Sequence, residues 1–351
     1  MDFEQRMQQK LENLREQKTV RILATESSCD DTGVAIVENG RKVLANVISS
    51  QIDIHTRFGG VVPEVASRNH ILAINPILEQ ALKEANLTMN DIDAIAVTQG
   101  AGLIGALLVG VNTAKALAYA LEKPLITVNH IKGHIAANYI SHPNLEPPFG
   151  CLIVSGGHTA IVKVETYNTF TMLGTTQDDA IGEAFDKVAR VVGLGYPGGP
   201  KIDKIAKGIT PEINFLKHDP FENSYDVSYS GLKTAVINYV NTLRQAKKEL
   251  DVPQICASFQ HEAVGIISRK AIKACVDNGL KTLALAGGVA ANSCLRETLT
   301  NLGKKNGIKV LFPEIILCTD NAAMIGALGY FNLQTNDVAP LSMSAKASID
   351  L

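Results

Sequence analysis

Short apolar runs alternate with polar turns and with longer stretches of helical spacing along the chain. Apolar runs bounded by turn residues are typical of strands, and apolar positions three or four apart are typical of helices. These patterns predict strands over 21–25, 33–37, 43–49, 92–98, 124–129, 151–154, 159–165, 282–286 and 309–312. They predict helices over 1–18, 76–82, 100–120, 180–192, 255–277 and 322–330. Further helices are predicted to contain His130 and His134 and to begin at residues 231 and 290. Interleaved strands and helices predict an α/β fold.

The N-terminus and a proline-rich stretch near the middle indicate how the chain is organised. Phe3, Met7, Leu11 and Leu14 recur at helical spacing among charged residues, which predicts an amphipathic helix that extends into solvent. Residues 141–148 contain Pro143, Pro147 and Pro148 and therefore predict a linker. After this linker, a strand–turn–strand pattern over 151–165 repeats the one over 21–37. The sequence thus predicts two related domains.

Composition limits the kinds of partner and compartment. The 351 residues carry a net charge of −2, so no global positive field attracts nucleic acid, and an RNA partner would need a local basic patch or another subunit. The six cysteines form no C-x-x-C pair, which suits reduced thiols in a cytosol. No apolar run approaches the roughly 20 residues of a membrane span. The sequence predicts a soluble, cytoplasmic protein without a membrane partner.

Two histidines four residues apart are the first candidates for chemistry. On a helix, His130 and His134 lie one turn apart on the same face, so both imidazoles can converge on one metal ion. A zinc protease of the H-E-x-x-H kind carries a glutamate after its first histidine, and here Ile131 takes that place. An isolated pair of this spacing is more often involved in packing or capping. Asp320, before the last helix, would complete a set of two histidines and one carboxylate that is typical of catalytic metals, or would simply cap that helix.

Three polar or glycine-bearing turns, at 26–32, 155–158 and 287–288, each follow a predicted strand. Glycine lets backbone N–H groups approach an anion closely, so three such turns in two related halves favour a phosphate and nucleoside site. The chain has no P-loop motif. Asp186 and Asp203 are either ligand acceptors or carboxylates on solvated helix faces.

Six motifs give the chain a resemblance to a known family. They are HIKGH at 130–134, SGGHT at 155–159, GEAFDK at 182–187, YPGGP at 196–200, SYSGLKT at 228–234 and GGVAAN at 287–292. In order and spacing, the match from about Ile22 to Gly329 resembles the TsaD (formerly Gcp) family, the tRNA N6-adenosine threonylcarbamoyltransferases. The stretch GGVVPEVASR at 59–68 resembles the bacterial branch of that family.

The resemblance implies an actin/Hsp70/sugar-kinase-like fold, in which two ribonuclease-H-like domains surround a nucleotide cleft. The implied divisions are an N-terminal helical extension (1–20), a first domain (21–148) completed by the C-terminal helix at about 320–335, and a second domain (149–319). The family transfers threonylcarbamoyl from threonylcarbamoyl-adenylate to N6 of adenosine 37 in tRNAs that read codons beginning with A, and AMP is released. Its bacterial members work with TsaB- and TsaE-type subunits.

The family's site residues fall on matching positions of this chain. The metal ligands, for one Fe²⁺ or Zn²⁺ per subunit, are His130, His134 and Asp320. The substrate-binding positions are Ile153, Val154, Ser155, Gly156, Gly157, Asp186, Gly199, Asp203 and Asn292. No residue stands out as a general base. The alternatives are a metal-dependent peptidase, an ATPase or kinase of the same fold, or an inactive tRNA-binding subunit.

Overall fold

The computed structural model describes residues 2–216, 219–335 and 337–349. Its strands are β1 Arg21–Glu26, β2 Asp31–Glu38, β3 Lys42–Ser50, β4 Ala94–Gly100, β5 Leu125–Asn129, β6 Phe149–Val154, β7 Thr159–Val164, β8 Phe170–Thr175, β9 Thr282–Ala286 and β10 Lys309–Leu311. Its helices are α1 Phe3–Arg15, α2 Ile52–Thr56, α3 Pro63–Ala85, α4 Ile104–Ala120, α5 His130–Ser141, α6 Ile181–Val191, α7 Gly198–Ala206, α8 Ser230–Gln245, α9 Val252–Asp277, α10 Ser293–Asn306, α11 Ile315–Cys318 and α12 Ala322–Thr335. Within these described residues, no helix is both long enough and apolar enough to cross a membrane.

The chain forms two compact units. The first comprises Met1–Leu145 and Glu314–Leu351, and the second comprises Glu146–Pro313. The division into domains over 21–148 and 149–319, which the family resemblance implies, remains a proposal.

Each unit contains a five-stranded sheet with the same topology. In the first sheet the strand order is β3-β2-β1-β4-β5, and in the second it is β8-β7-β6-β9-β10. In both, the first three strands are antiparallel neighbours and the last two run parallel to the central strand. The α/β class predicted from the sequence is therefore confirmed. The repeated strand–turn–strand pattern corresponds to β1 and β2 in the first sheet and to β6 and β7 in the second.

Helix α12 brings the C-terminal part of the chain onto the first sheet. It packs against β1, β2 and α5. Two of its glycines allow this close approach, because a Cβ atom at Gly326 would lie 2.7 Å from a methyl group of Val37, and one at Gly329 would lie 2.8 Å from Ala96 Cβ. Such contacts leave no room for a larger residue at either position. The start of α12 is thereby held beside α5, which carries the two histidines.

The N-terminal helix is amphipathic as predicted, but it does not extend into solvent. The side chains of Met7 and Leu11 are fully buried, and Arg15 Nε donates to the carbonyl oxygen of Leu333 on α12 at 2.8 Å. The prediction of a solvated extension is wrong because the apolar stripe of α1 covers α12. Local spacing cannot reveal which surface such a stripe covers.

Helix α3 begins 13 residues before the predicted start near Pro76. Pro63 occupies the first turn, where a missing N–H costs nothing, and Pro76 lies inside the helix. An interior proline costs about 3 kcal/mol or more. Here burial of one helix face, which includes Ala66, Ile74 and Ile77, stabilises the helix despite the interior proline.

Candidate functional site

Helix α5 presents both histidines from its first turns. The side chain of Asn129 caps the helix, since its Oδ1 accepts from the backbone N–H groups of Ile131 at 2.9 Å and Lys132 at 3.1 Å. His130 is thus the first residue of the helix, and His134 lies one turn later. Their rings stand edge to face with centroids 4.7 Å apart. Both are largely buried, with exposed fractions of 9% and 2%.

Asp320 is brought to the histidines by the turn that precedes α12. The side chain that caps this helix belongs to Asn321, whose Oδ1 accepts from Met324 N–H at 3.0 Å. The interpretation of Asp320 as the helix cap is therefore wrong. Its carboxylate is available to other partners, and its Oδ1 lies 3.1 Å from His134 Nε2 and 3.5 Å from His130 Nε2.

The three side chains fit a single metal ion. One nitrogen from each histidine and one oxygen of Asp320 lie within 4.8 Å of one another. Ligands at about 2.0–2.2 Å from a tetrahedral ion lie roughly 3.3 Å apart, which is close to both Nε2–Oδ1 distances. Three protein ligands would leave coordination positions open, as catalytic sites require.

Negative charge surrounds His130 on two sides. Burial disfavours its protonated form, but the carboxylates of Asp320 and Glu26 outweigh burial and raise the pKa of His130 to about 9. Burial also works to raise the pKa of Asp320, yet His130 and His134 lower it to about 2. The group therefore favours a positive charge between its members, whether a proton or a metal ion.

Sequence reasoning placed Glu26 in the polar turn at 26–32 and missed it as a partner of His130; in the structure it is the last residue of β1. Its side chain is fully buried, and its Oε2 lies 3.1 Å from His130 Nδ1. Oε1 accepts from Ser28 N–H at 2.5 Å, and Oε2 accepts from Thr98 Oγ1 at 2.5 Å. The available signal was an acidic residue at the end of a strand whose centre, 22–24, is apolar.

In the second unit, strand β6 leads into the predicted phosphate turn. Ile153 and Val154 are fully buried in the sheet, so they position the turn that follows rather than expose side chains. Ser155 N–H donates to the carbonyl oxygen of His158 at 2.8 Å, which closes the turn. Gly156 and Gly157 are exposed, and nothing lies within 4 Å of a Cβ atom built on either.

Asp186 joins α6 to the start of α7. Its Oδ1 accepts from Gly198 N–H at 2.6 Å, and burial raises the pKa of its carboxyl group. It is therefore not a carboxylate on a solvated helix face. Gly199, which follows Gly198 in α7, has open space where a side chain would project. Asp186 thus holds the backbone that carries Gly199.

Asp203 and Asn292 meet at the start of α10. The two oxygens of Asp203 accept from Ser293, one from its N–H at 3.0 Å and the other from Oγ at 2.8 Å. Asn292 Oδ1 caps the helix by accepting from Leu295 N–H at 2.9 Å, and Nδ2 donates to Gln260 at 2.8 Å. Each group keeps hydrogen-bonding capacity for a ligand, because a carboxylate oxygen accepts more than one bond and an amide nitrogen carries two hydrogens. Sequence reasoning missed the supporting pair, Gln260 and Ser293.

The fold is similar to those of solved α/β proteins. Component A of the (R)-2-hydroxyglutaryl-CoA dehydratase of Acidaminococcus fermentans matches with a TM-score of 0.53 and 14% identity, over 90% of this chain and 99% of that one. Full-length HypF matches with a TM-score of 0.61 and 15% identity, over 90% of this chain and 46% of that one. At such low identity the likeness concerns the fold alone. It defines an α/β protein of the actin/Hsp70/sugar-kinase-like class.

Sequence comparison identifies the family. The family model described as tRNA N6-adenosine threonylcarbamoyltransferase (TsaD) matches residues 42–327. The tRNA N6-adenosine threonylcarbamoyltransferase of Clostridium perfringens is 59% identical over 331 residues, which cover 94% of this chain and 98% of that protein. That of Clostridium novyi is 57% identical over 340 residues. The chain belongs to the TsaD family, which confirms the resemblance of its motifs.

Proposed function

We propose that this chain is a transferase that moves threonylcarbamoyl from threonylcarbamoyl-adenylate to N6 of adenosine 37 in tRNAs reading codons that begin with A. The N6 nitrogen attacks the carbamoyl carbon, the bond from that carbon to the phosphate oxygen breaks, AMP leaves with the electron pair, and the N6 proton passes to solvent. The observation that carries the proposal is the 59% identity to a transferase of that name over 94% of the chain.

His130, His134 and Asp320 are proposed to hold one divalent ion per chain, iron or zinc. When bound, the ion would supply Lewis-acid polarisation of the anhydride. The support is the close approach of their three ligand atoms, together with the negative charge that favours a cation there. Histidine and carboxylate ligands suit both metals, so metal analysis of the purified protein decides between them.

The substrate-binding positions of the second unit are proposed to hold the adenylate. Gly156 and Gly157 are exposed residues whose N–H groups can donate to the phosphate as negative charge develops on the departing AMP. Asp186 and Asp203 can accept from ribose hydroxyls, and Asn292 can also donate. Gly199 leaves space for the ligand, while Ile153 and Val154 anchor the turn. The proposal assigns no general base, because an activated anhydride makes a weakly basic amine a sufficient nucleophile.

Partner subunits of the TsaB and TsaE type are part of the proposal. The net charge is −2, and two of the lysines near the YPGGP motif at 196–200 already have internal partners. Lys187 pairs with Asp179 and Glu183, and Lys201 donates to two backbone carbonyl groups. We therefore expect the isolated chain to bind tRNA weakly and to turn over slowly. Rapid multiple turnover at physiological salt without a second protein would contradict this part.

The test of the function is a transfer assay with purified chain, tRNA and adenylate labelled in its threonine, with and without the companion subunits. The proposal predicts label in tRNA with equimolar release of AMP. Hydrolysis of peptides would favour the peptidase, although this chain has Ile131 where the peptidase motif carries a glutamate. ATP hydrolysis without tRNA labelling would favour the ATPase or kinase. The proposal places the chain in the cytoplasm with its tRNA, and its six free cysteines agree with a reducing compartment.

A further inference from the structure

We infer that Glu26 is a positioning residue for the metal group: it accepts a hydrogen bond from Nδ1–H of His130, and so directs the Nε2 lone pair of that histidine toward the ion. The inference rests on the proposed metal site. Nothing in the sequence motifs or the family comparison assigns Glu26 a role. It follows from where the carboxylate lies and from what it contacts.

The geometry distinguishes the two nitrogens of His130. Its Nδ1 lies 3.1 Å from Glu26 Oε2 and also 3.1 Å from Ser28 Oγ. Its Nε2 points the other way, 3.5 Å from Asp320 Oδ1. A neutral imidazole carries one proton, and the hydrogen bond made by one nitrogen decides which nitrogen is free to bind a metal.

Glu26 is built to keep its position. Its side chain is fully buried at the end of β1, and the backbone N–H of Ser28 and the hydroxyl of Thr98 each donate to it at 2.5 Å. A buried carboxylate requires a charged or donating partner. Within the described part of the chain, His130 is the one ion-pair partner of Glu26 inside 4.0 Å. The carboxylate therefore depends on His130 as much as it orients that ring.

Glu26→Gln provides a sharp test because the amide cannot satisfy the same partners. The backbone N–H of Ser28 cannot move away, so the amide oxygen should stay opposite it. The amide nitrogen then faces His130 Nδ1 as a donor. That contact favours the tautomer protonated on Nε2, the atom that should bind the ion.

The experiment measures metal affinity rather than activity. Purified chain is stripped with a chelator and titrated with Zn²⁺ against a chromophoric competitor, and with Co²⁺ by its absorption spectrum. Glu26→Gln should weaken Zn²⁺ binding by about 10–100-fold, the usual effect of losing such a partner, and should change the Co²⁺ spectrum. Glu38→Gln is the matched control, since Glu38 is a partly buried carboxylate on the neighbouring strand that pairs with Arg21. It should bind both metals like the unmodified chain.

A second measurement is independent of whether Glu26→Gln folds. Long-range proton–nitrogen NMR on the unmodified, Zn²⁺-loaded chain should show His130 protonated on Nδ1 and bound through Nε2. Ser28→Ala removes the other candidate acceptor and should leave that pattern unchanged. Coordination through Nδ1, or equal Zn²⁺ affinity in folded Glu26→Gln and the unmodified chain, would overturn the inference. Failure of the unmodified chain to bind either metal would instead refute the proposed metal site.

Discussion

His134 Nε2 and Asp320 Oδ1 lie 3.1 Å apart although 186 residues separate them in the chain. The contact depends on two helix starts. Asn129 begins α5 so that His134 faces inward, and Asn321 caps α12 so that the carboxylate of Asp320 remains available. Neither cap is part of the metal group itself. The proposed centre is therefore a product of how two helices begin.

His134→Ala should remove the bound metal and the transferase activity together while the fold survives. Loss of one of three ligands leaves too few to hold a divalent ion against solvent, while the other buried residues of α5 keep the helix packed. Metal content by elemental analysis, with circular dichroism for the fold, checks this. His142→Ala, at the C-terminal end of the same helix, is the control and should keep its metal. Unchanged metal content in His134→Ala would remove that residue from the centre.

Gly182→Ala should weaken binding of AMP by about 5–150-fold, because overpacking of this kind costs about 1–3 kcal/mol. A Cβ atom at Gly182 would lie 2.6 Å from the carbonyl oxygen of Ser155 and 2.8 Å from Gly156 Cα, so the phosphate turn must shift. Calorimetry with AMP measures the effect.

Gly231→Ala is the matched control for that substitution. Gly231 is also the second residue of a helix, and nothing lies within 4 Å of a Cβ atom built on it. Both substitutions raise helix propensity alike. Equal AMP affinity in the two variants would show that the turn at 155–158 does not hold the phosphate.

Asp203→Ala should weaken the binding of a non-hydrolysable analogue of the adenylate by about ten- to a hundredfold, since a hydrogen bond to a charged group is worth about 1.5–3 kcal/mol. The same change also removes two bonds to Ser293. Ser293→Ala, which loses only the hydroxyl bond, separates the two effects and should bind the analogue nearly normally. If both variants bind equally, Asp203 supports the helix and does not contact the nucleotide.

Asp179→Asn should lower the free energy of unfolding at neutral pH by about 1.5–3 kcal/mol. The carboxylate is 12% exposed and bonds both Lys233 and Lys187. Burial opposes its ionisation, but these lysines lower its pKa below the ordinary value. Its stabilisation is therefore complete above about pH 3.9, the unfolded pKa, and is lost as the pH falls through the lower folded pKa.

Denaturant unfolding of Asp179→Asn and the unmodified chain at several pH values checks that dependence. The difference between them should shrink only in strongly acidic solution. Glu64→Gln, which breaks an exposed pair with Arg68, is the control and should match the unmodified chain at every pH. A difference that is constant across the acidic range would show that the charge of Asp179 is not what stabilises the unit.

Much of the candidate site was predictable from the sequence because its parts are local. The spacing of His130 and His134 defines a helix face, and glycines after strands indicate turns. The role of Asp320 was not predictable from spacing, because Asp320 and Asn321 are equally good helix caps by residue type and only the path of the chain chooses between them. Glu26 escaped for a similar reason: its partner, His130, lies 104 residues away.

The fold shows the same division between local and distant information. Strand periodicity predicted all five strands of the first sheet and the repeated opening of the second, but it missed β8 at the edge of the second sheet. The predicted start of α3 was wrong, because local rules treat Pro76 as a helix boundary. In the structure, burial of one face stabilises the helix on both sides of Pro76. The predicted solvent exposure of α1 was wrong too, since Met7 and Leu11 are buried and α1 packs against a helix from the C-terminal part of the chain.

Mass spectrometry of tRNA nucleosides tests the central claim most directly. Unmodified tRNA is incubated with threonylcarbamoyl-adenylate, the companion subunits and either the unmodified chain or His134→Ala, then digested and mapped. We expect N6-threonylcarbamoyladenosine at position 37 with the unmodified chain, none with His134→Ala, and none in a tRNA carrying guanosine at that position. Absence of the modified nucleoside with the unmodified chain, or its formation at full rate with His134→Ala, would contradict the account.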